Sequence, residues 1–231
     1  MNSIASDVRS NIKNIKKILD IYISLLDKCY IIYVKITRLQ RGYFKKIWFK
    51  KSGKRIFIGK RTDIKHNRHI TTGNNILIND YVEMNAESPN SIIVGDNISI
   101  GKYSIIKCTG NYKNAKTGIQ IGNNFSCGDF CFFGCAGGIQ IGNDVIMGQN
   151  IRFHAQNHNF DRIDILIRDQ GTTQKGIVIE DNCWIGAGTV FLDGITVGRG
   201  SVIGSNTLVN KDIEPNSIAV GNPVRIVKKR A

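Results

Sequence analysis

From about residue 52 the apolar positions recur every six residues, a spacing that fits neither the period of two of an amphipathic strand nor the 3.6 of a helix. The clearest unit is an apolar residue followed by glycine: Ile58-Gly59, Val94-Gly95, Ile100-Gly101, Ile121-Gly122, Ile141-Gly142, Met147-Gly148, Ile185-Gly186, Val197-Gly198 and Ile203-Gly204. With the first residue of each pair taken as an anchor, anchors fall at 72, 78, 84; 94, 100, 106; 121, 127, 133; 141, 147, 153; 179, 185, 191; and 197, 203, 209. Most are Ile, Val, Met or Phe, with Thr72 and Cys127 as small exceptions.

Within each triplet the step is six; between triplets it is 10, 15, 8, 26 and 6. Extra residues therefore accumulate only after every third anchor. A triangular coil with three six-residue sides has this pattern, because insertions are tolerated at one corner and break the stacking elsewhere. An incomplete turn, with anchors at Ile58 and Ile64, precedes the six full coils. The predicted fold class is all-β: a parallel β-helix of about six coils, each side a short strand, stacked at about 4.8 Å with the anchors inward. Gly, Asn and Asp are expected after the anchors because the chain turns there and these residues tolerate φ > 0.

The region before the coils has a different character. Residues 4–50 read as helical, with Ile4, Val8, Ile12, Ile15, Ile18 and Leu19 near a spacing of three to four. The chain carries a formal charge of +14, and the distribution is uneven. Residues 1–70 hold 18 Lys and Arg against 4 Asp and Glu, while residues 71–231 hold 14 of each. An excess confined to one end argues against a nucleic-acid surface spread over the fold. The chain is expected to divide into a basic helical segment, 1–50, and a body, 51–231, whose first twenty residues share the excess and whose remainder, 71–231, has no net charge. The segment is expected to cap the first coil, whose edge is otherwise exposed, or to contact anionic lipid through Lys13, Lys16, Lys17, Arg38, Arg41, Lys45 and Lys46. Asp20, Asp27, Lys28 and Lys35 interrupt the apolar run 18–36, which is therefore not read as a membrane span. The expected location is cytoplasmic, with peripheral contact at the inner membrane face. Six cysteines fit free thiols in a reducing compartment, and the spacing of Cys127, Cys131 and Cys135 suits no metal site.

The longest insertion follows Phe153 and makes up the loop 154–178. Twenty extra residues exceed what a regular solenoid needs, and such loops carry function. It holds His154 and His158, the two histidines beyond residue 70. An imidazole titrating near neutrality can take a proton from a hydroxyl during attack on a thioester.

The Asn157-His158 pair ahead of Asp181-Asn182-Cys183-Trp184-Ile185-Gly186-Ala187-Gly188 resembles the hexapeptide-repeat acyltransferases, in particular the galactoside, maltose and xenobiotic O-acetyltransferases. The resemblance covers roughly residues 52–228 and implies a left-handed β-helix, assembled as a homotrimer with active sites between prisms. It also implies acetyl-CoA as co-substrate, no metal, and direct attack by the acceptor without a covalent intermediate. By the same likeness His158 is the general base, with His154 and Asn157 at the acceptor. Trp184 lies beside the cofactor, and Ala187 gives its N–H to the thioester carbonyl. Ser205 and Asn210 line the pantetheine channel; Lys211, Arg225 and Lys228 meet the CoA phosphates. Lys229 and Arg230 are read as a frayed tail.

The sequence departs from the galactoside pattern at 128–138, where Asp129 is the one carboxylate and so the one acidic acceptor contact. Acceptor identity is left open, with 107–118 and 159–175 as further acceptor surfaces. The expected activity is O-acetylation of a sugar hydroxyl, in a surface polysaccharide unit or its lipid-linked precursor. Amino-sugar N-acetylation, a γ-class carbonic anhydrase and a non-catalytic membrane-associated solenoid are the alternatives.

Overall fold

The computed structural model describes residues 25–89, 91–109 and 117–230. The expected helicity of residues 4–24 lies outside them. One helix, α1 (Leu25–Lys46), ends four residues before the position that the apolar spacing suggested, and 47–50 form a turn. No described helix is long and apolar enough to cross a membrane.

From Lys51 the chain winds through three parallel sheets, one strand of each per coil. Every anchor read from the sequence stands in register with its counterparts. On face one, Thr72, Val94, Ile121, Ile141, Ile179 and Val197 are aligned. Face two aligns Ile58, Ile78, Ile100, Cys127, Met147, Ile185 and Ile203. Face three aligns Ile64, Met84, Ile106, Phe133, Phe153, Phe191 and Val209. All are buried. At the heart of the core, the Phe153 ring stacks on Phe133 at 5.1 Å and on Phe191 at 4.6 Å.

Two details correct the sequence reading. The first turn is complete, because Ser52 pairs with Thr72 and supplies the missing third side. Gly53 marked it, but a polar anchor hid it. At the far end Ile213 and Ser217–Val220 begin a further coil beyond Val209.

The glycines after the anchors are also not where the chain takes positive φ. That conformation falls three residues past the anchor, at Asn75, Asn97, Asn124, Asp144 and Asn182 on one corner and at Tyr81, Tyr103 and Phe130 on the next. The post-anchor glycines are there for space: a Cβ at Gly101 would lie 2.1 Å from Gly128 O, and one at Gly186 2.4 Å from Ser205 N. Between corners, side-chain carbonyls and carboxylates replace missing backbone partners. Asn74 N donates to Asp96 Oδ1, Asp96 N to Asn123 Oδ1, Asn123 N to Asn143 Oδ1, and Asn143 N to Asp181 Oδ1.

Both ends of the stack are covered, as open strand edges require. The last turns of α1 lie on the first coil. Arg41 Nε donates to Ile58 O at 2.8 Å and Lys45 Nζ to Thr62 O at 3.1 Å. Gly42 permits this approach, since a Cβ there would sit 1.8 Å from Ile56 O. At the other end the chain reverses at 221–224 and Arg225–Lys229 runs antiparallel to Ser217–Val220. Lys229 is not frayed: its Nζ meets Glu214 Oε2 at 2.7 Å and pulls that carboxyl below its ordinary value. Arg230 is tied down by its guanidinium donating to Gly200 O at 2.6 Å.

Candidate active site

The insertion after Phe153 is an arm. Asn157–His158 pairs antiparallel with Thr172–Thr173, placing His158 opposite Thr172. The arm orders itself: Asn159 Nδ2 donates to Gln170 O, Thr173 Oγ1 donates to Asn159 Oδ1, and Gln170 Nε2 donates to the carbonyls of Arg162 and Ile165. Where it rejoins the prism, Asp193 accepts the N–H groups of Lys175 and Gly176. The tip, by contrast, is apolar and bare, with Phe160, Ile163, Leu166 and Ile167 all exposed. The imidazole of His158 is exposed and has no hydrogen-bond partner among the described residues.

His154 ends a strand of face three, in register with Gly134 before it and Leu192 after it. Its ring tilts against Phe132 with centroids 5.7 Å apart. Partial burial, followed by the positive charge of Arg152, holds it below the ordinary imidazole value of 6.5, so it is neutral at pH 7. Asp129 lies on the corner between faces two and three, and its Oδ1 accepts Lys102 N at 2.6 Å. Asp80 does the same for Lys60 N two coils earlier. Asn157, on the arm, faces Thr173.

Trp184, Ala187 and Ser205 belong to two consecutive coils on face two and the corner that follows it. Trp184 points outward, 59% exposed, between Ile146 and Val202. Ala187 O accepts Asn206 N, whereas no acceptor faces Ala187 N–H among the described residues. On this corner Asp80 and Asp129 occupy the backbone donors of earlier coils; where Ala187 and Ser205 replace Asp, the donors are released. Cys183, next to Trp184, is buried, which raises its thiol above the ordinary value and leaves it protonated at neutral pH. Arg225 and Lys228 are exposed on the strand that extends face two. Asn210 and Lys211 are exposed past Val209, on the corner after face three.

The arm and the Ala187 corner are rooted at different ends of face three. The arm leaves the end of face three, level with Leu192, while Ala187 precedes that face. Ala187 and Gly188 form the corner, and the strand Val190–Leu192 follows it. Two adjoining depressions of about 700 and 650 Å³ lie elsewhere, along the outside of face one. They share Ile93, Gln120, Gln140 and Val178 and contain neither histidine. Glu180 and Asp181 at one end already accept Arg199 N and Asn143 N. Volume therefore does not locate the chemistry. Among the described residues no three His, Cys, Asp or Glu side chains gather as a metal site requires.

Residues 176–211 match the family model described as bacterial transferase hexapeptide (six repeats). A mutant of AntD, an N-acyltransferase from Bacillus cereus solved with dTDP and coenzyme A, superposes with a TM-score of 0.56 at 20% identity, over 82% of this chain and 88% of that one. The fold is the left-handed parallel β-helix of the hexapeptide-repeat transferases. A galactoside O-acetyltransferase of Lactococcus lactis is 37% identical over 92 residues, 39% of this chain and 43% of its own length. A Schizosaccharomyces pombe protein carrying an acetyltransferase name is 38% identical over 112 residues, 48% of this chain and 53% of its own. The chain thus spans about half the length of the curated relatives it matches.

Proposed function

We propose that this chain is an acetyl-CoA-dependent O-acetyltransferase acting on a sugar hydroxyl, with His158 as general base. The observation that carries the reading is the arm: a hydrogen-bonded hairpin that holds an unpartnered imidazole off the prism, directly ahead of the coil in which Ala187 offers a free N–H. The acceptor hydroxyl attacks the thioester carbonyl as Nε2 or Nδ1 of His158 removes its proton. The developing oxyanion is held at Ala187 N–H, and the CoA thiolate departs. Trp184 and Ser205 stand beside that N–H on the pantetheine path, with Asn210 further along. Lys211, Arg225 and Lys228 supply cations for the CoA phosphates.

Because arm and oxyanion donor occupy opposite ends of one face, the site is completed between prisms. The arm of one subunit, its apolar tip buried against a neighbour, presents His158 to the coil of the next, in a homotrimer. The exposed Tyr43, Phe44, Ile47 and Trp48, set among Lys45, Lys46, Lys50 and Lys51, support peripheral contact with anionic lipid and hence a lipid-linked or surface-polysaccharide acceptor. An acceptor panel incubated with acetyl-CoA and read by mass spectrometry tests the activity. A mass gain of one acetyl group on a hydroxyl-bearing glycan supports it; CoA release with no acetylated sugar, or acetylation confined to amines, contradicts it.

A further inference from the structure

On the outside of face three the side chains form two rows that cross the strands. One row runs Asp63, Glu83, Ile105, Phe132, Arg152; the other runs Lys65, Asn85, Lys107, Gly134, His154. In the first coils the charges cancel: Lys65 Nζ meets Asp63 at 3.1 Å and Glu83 at 3.9 Å. Further along, Ile105 and Phe132 replace the acids. Lys107 and Arg152 are exposed, and among the described residues neither has a carboxylate partner. The loop that follows Lys107, residues 108–118, adds two lysines and no carboxylate to the sequence.

Gly134 opens a gap in the second row. Lys107 and His154 flank it on neighbouring strands, two strand spacings or about 9–10 Å apart. The Phe132 ring leans over the vacant position, its Cε1 3.0 Å from where a Cβ on Gly134 would be. The result is a notch of about 250 Å³ with Phe132 as an apolar floor and Lys107, Thr109, His154 and Gln156 around it. An aromatic floor with polar walls suits the C–H face and hydroxyls of one pyranose ring. Among the described residues no acid lines the notch.

We propose that the notch at Gly134 is the acceptor subsite and that it takes a pyranose bearing an anionic group, a carboxylate or a phosphate, paired with Lys107. Its naming as acceptor subsite rests on the acyl-transfer reading; its preference for an anion rests on Lys107, Arg152 and Gly134 alone. His154, neutral, contributes a hydrogen bond to a ring hydroxyl.

The test is binding, followed by calorimetry and saturation-transfer NMR on the full chain, with methyl β-D-glucuronide, glucose 1-phosphate and methyl β-D-glucoside. At least one charged sugar is expected to bind about tenfold or more tightly than the neutral glucoside, as a charge-assisted hydrogen bond gives. Which of the two charged sugars binds tighter decides between carboxylate and phosphate. Added salt should erode the advantage, Lys107→Met should abolish it, and Lys65→Met on the same face should leave it intact. Equal binding of all three sugars, a preference that survives Lys107→Met, or one lost equally in Lys65→Met overturns the proposal. Binding of a charged sugar by a chain that acetylates nothing keeps the notch and removes the acyl-transfer reading. Acetylation of sugars without regard to charge does the reverse.

Discussion

A single methyl group tests the stacking. Gly101→Ala would place a Cβ 2.1 Å from Gly128 O, a backbone atom that cannot swing aside. The coil must shift, and overpacking of this kind costs about 1–3 kcal/mol, to be read as a lowered urea midpoint at unchanged m-value. The glycines were visible in the sequence, but their reason was not. Periodicity marks them as special; only the distance to the next coil shows that the constraint is steric while positive φ falls on residues such as Asn97 and Asn124. His154 and His158 were both legible as candidates because they are the histidines of the long insertion. The setting of His154 was not fully legible, since burial, with Phe132 of the neighbouring strand against its ring, outweighs Arg152, which stands two residues back on its own strand. In an NMR titration the His154 imidazole should therefore titrate below 6.5. Burial is the larger cause, so Arg152→Gln should raise it only part of the way back. Because its folded value is depressed, the unfolded chain binds the proton more readily, and His154 withdraws stability as pH falls through the unfolded value.

Among the elements, the stacked phenylalanines of face three bear the most weight per residue. Phe153 is fully buried between Phe133 and Phe191, and Phe153→Ala should cost about 3–5 kcal/mol. That column could be read from the sequence because anchors 133, 153 and 191 share a place in their triplets. Ser52 could not, since a polar side chain in an anchor position breaks the apolar signal even though Gly53 preserves the steric one. The C-terminal hairpin was likewise hidden: Lys229 and Arg230 read as a basic tail until Glu214 and Gly200 O are seen opposite them. The end of α1 and the turn after it carry a prediction of their own. Vesicles containing phosphatidylserine should pellet the full chain and leave behind a variant with Phe44, Ile47 and Trp48 changed to Ser. Equal pelleting of both would remove membrane contact from the account.

For the whole molecule, the arm is the feature on which the proposed trimer rests. Its tip exposes Phe160, Ile163, Leu166 and Ile167, and it leaves the prism at the end of face three, whereas Ala187 precedes that face. Light scattering should give three times the 25.7 kDa chain mass, and deletion of residues 160–169 should lower the assembly state. The repeat dictated the prism because every side obeys the same six-residue rule. The insertion length announced the arm, but not its hairpin, which depends on Asn159 and Gln170 closing it from within. The charge excess that dominates the composition lies in residues 1–70, the N-terminal segment and the first coil, away from the proposed chemistry; beyond them, local imbalance at Lys107 and Arg152 says more about the acceptor than the total does. The measurement that bears most directly on acyl transfer is the kinetics of His158→Ala with acetyl-CoA and an accepted glycan. Loss of the base should lower kcat by about 10²- to 10⁴-fold while acetyl-CoA binds the variant as tightly as the parent. Turnover near the parent rate would contradict the assignment of His158 as the base.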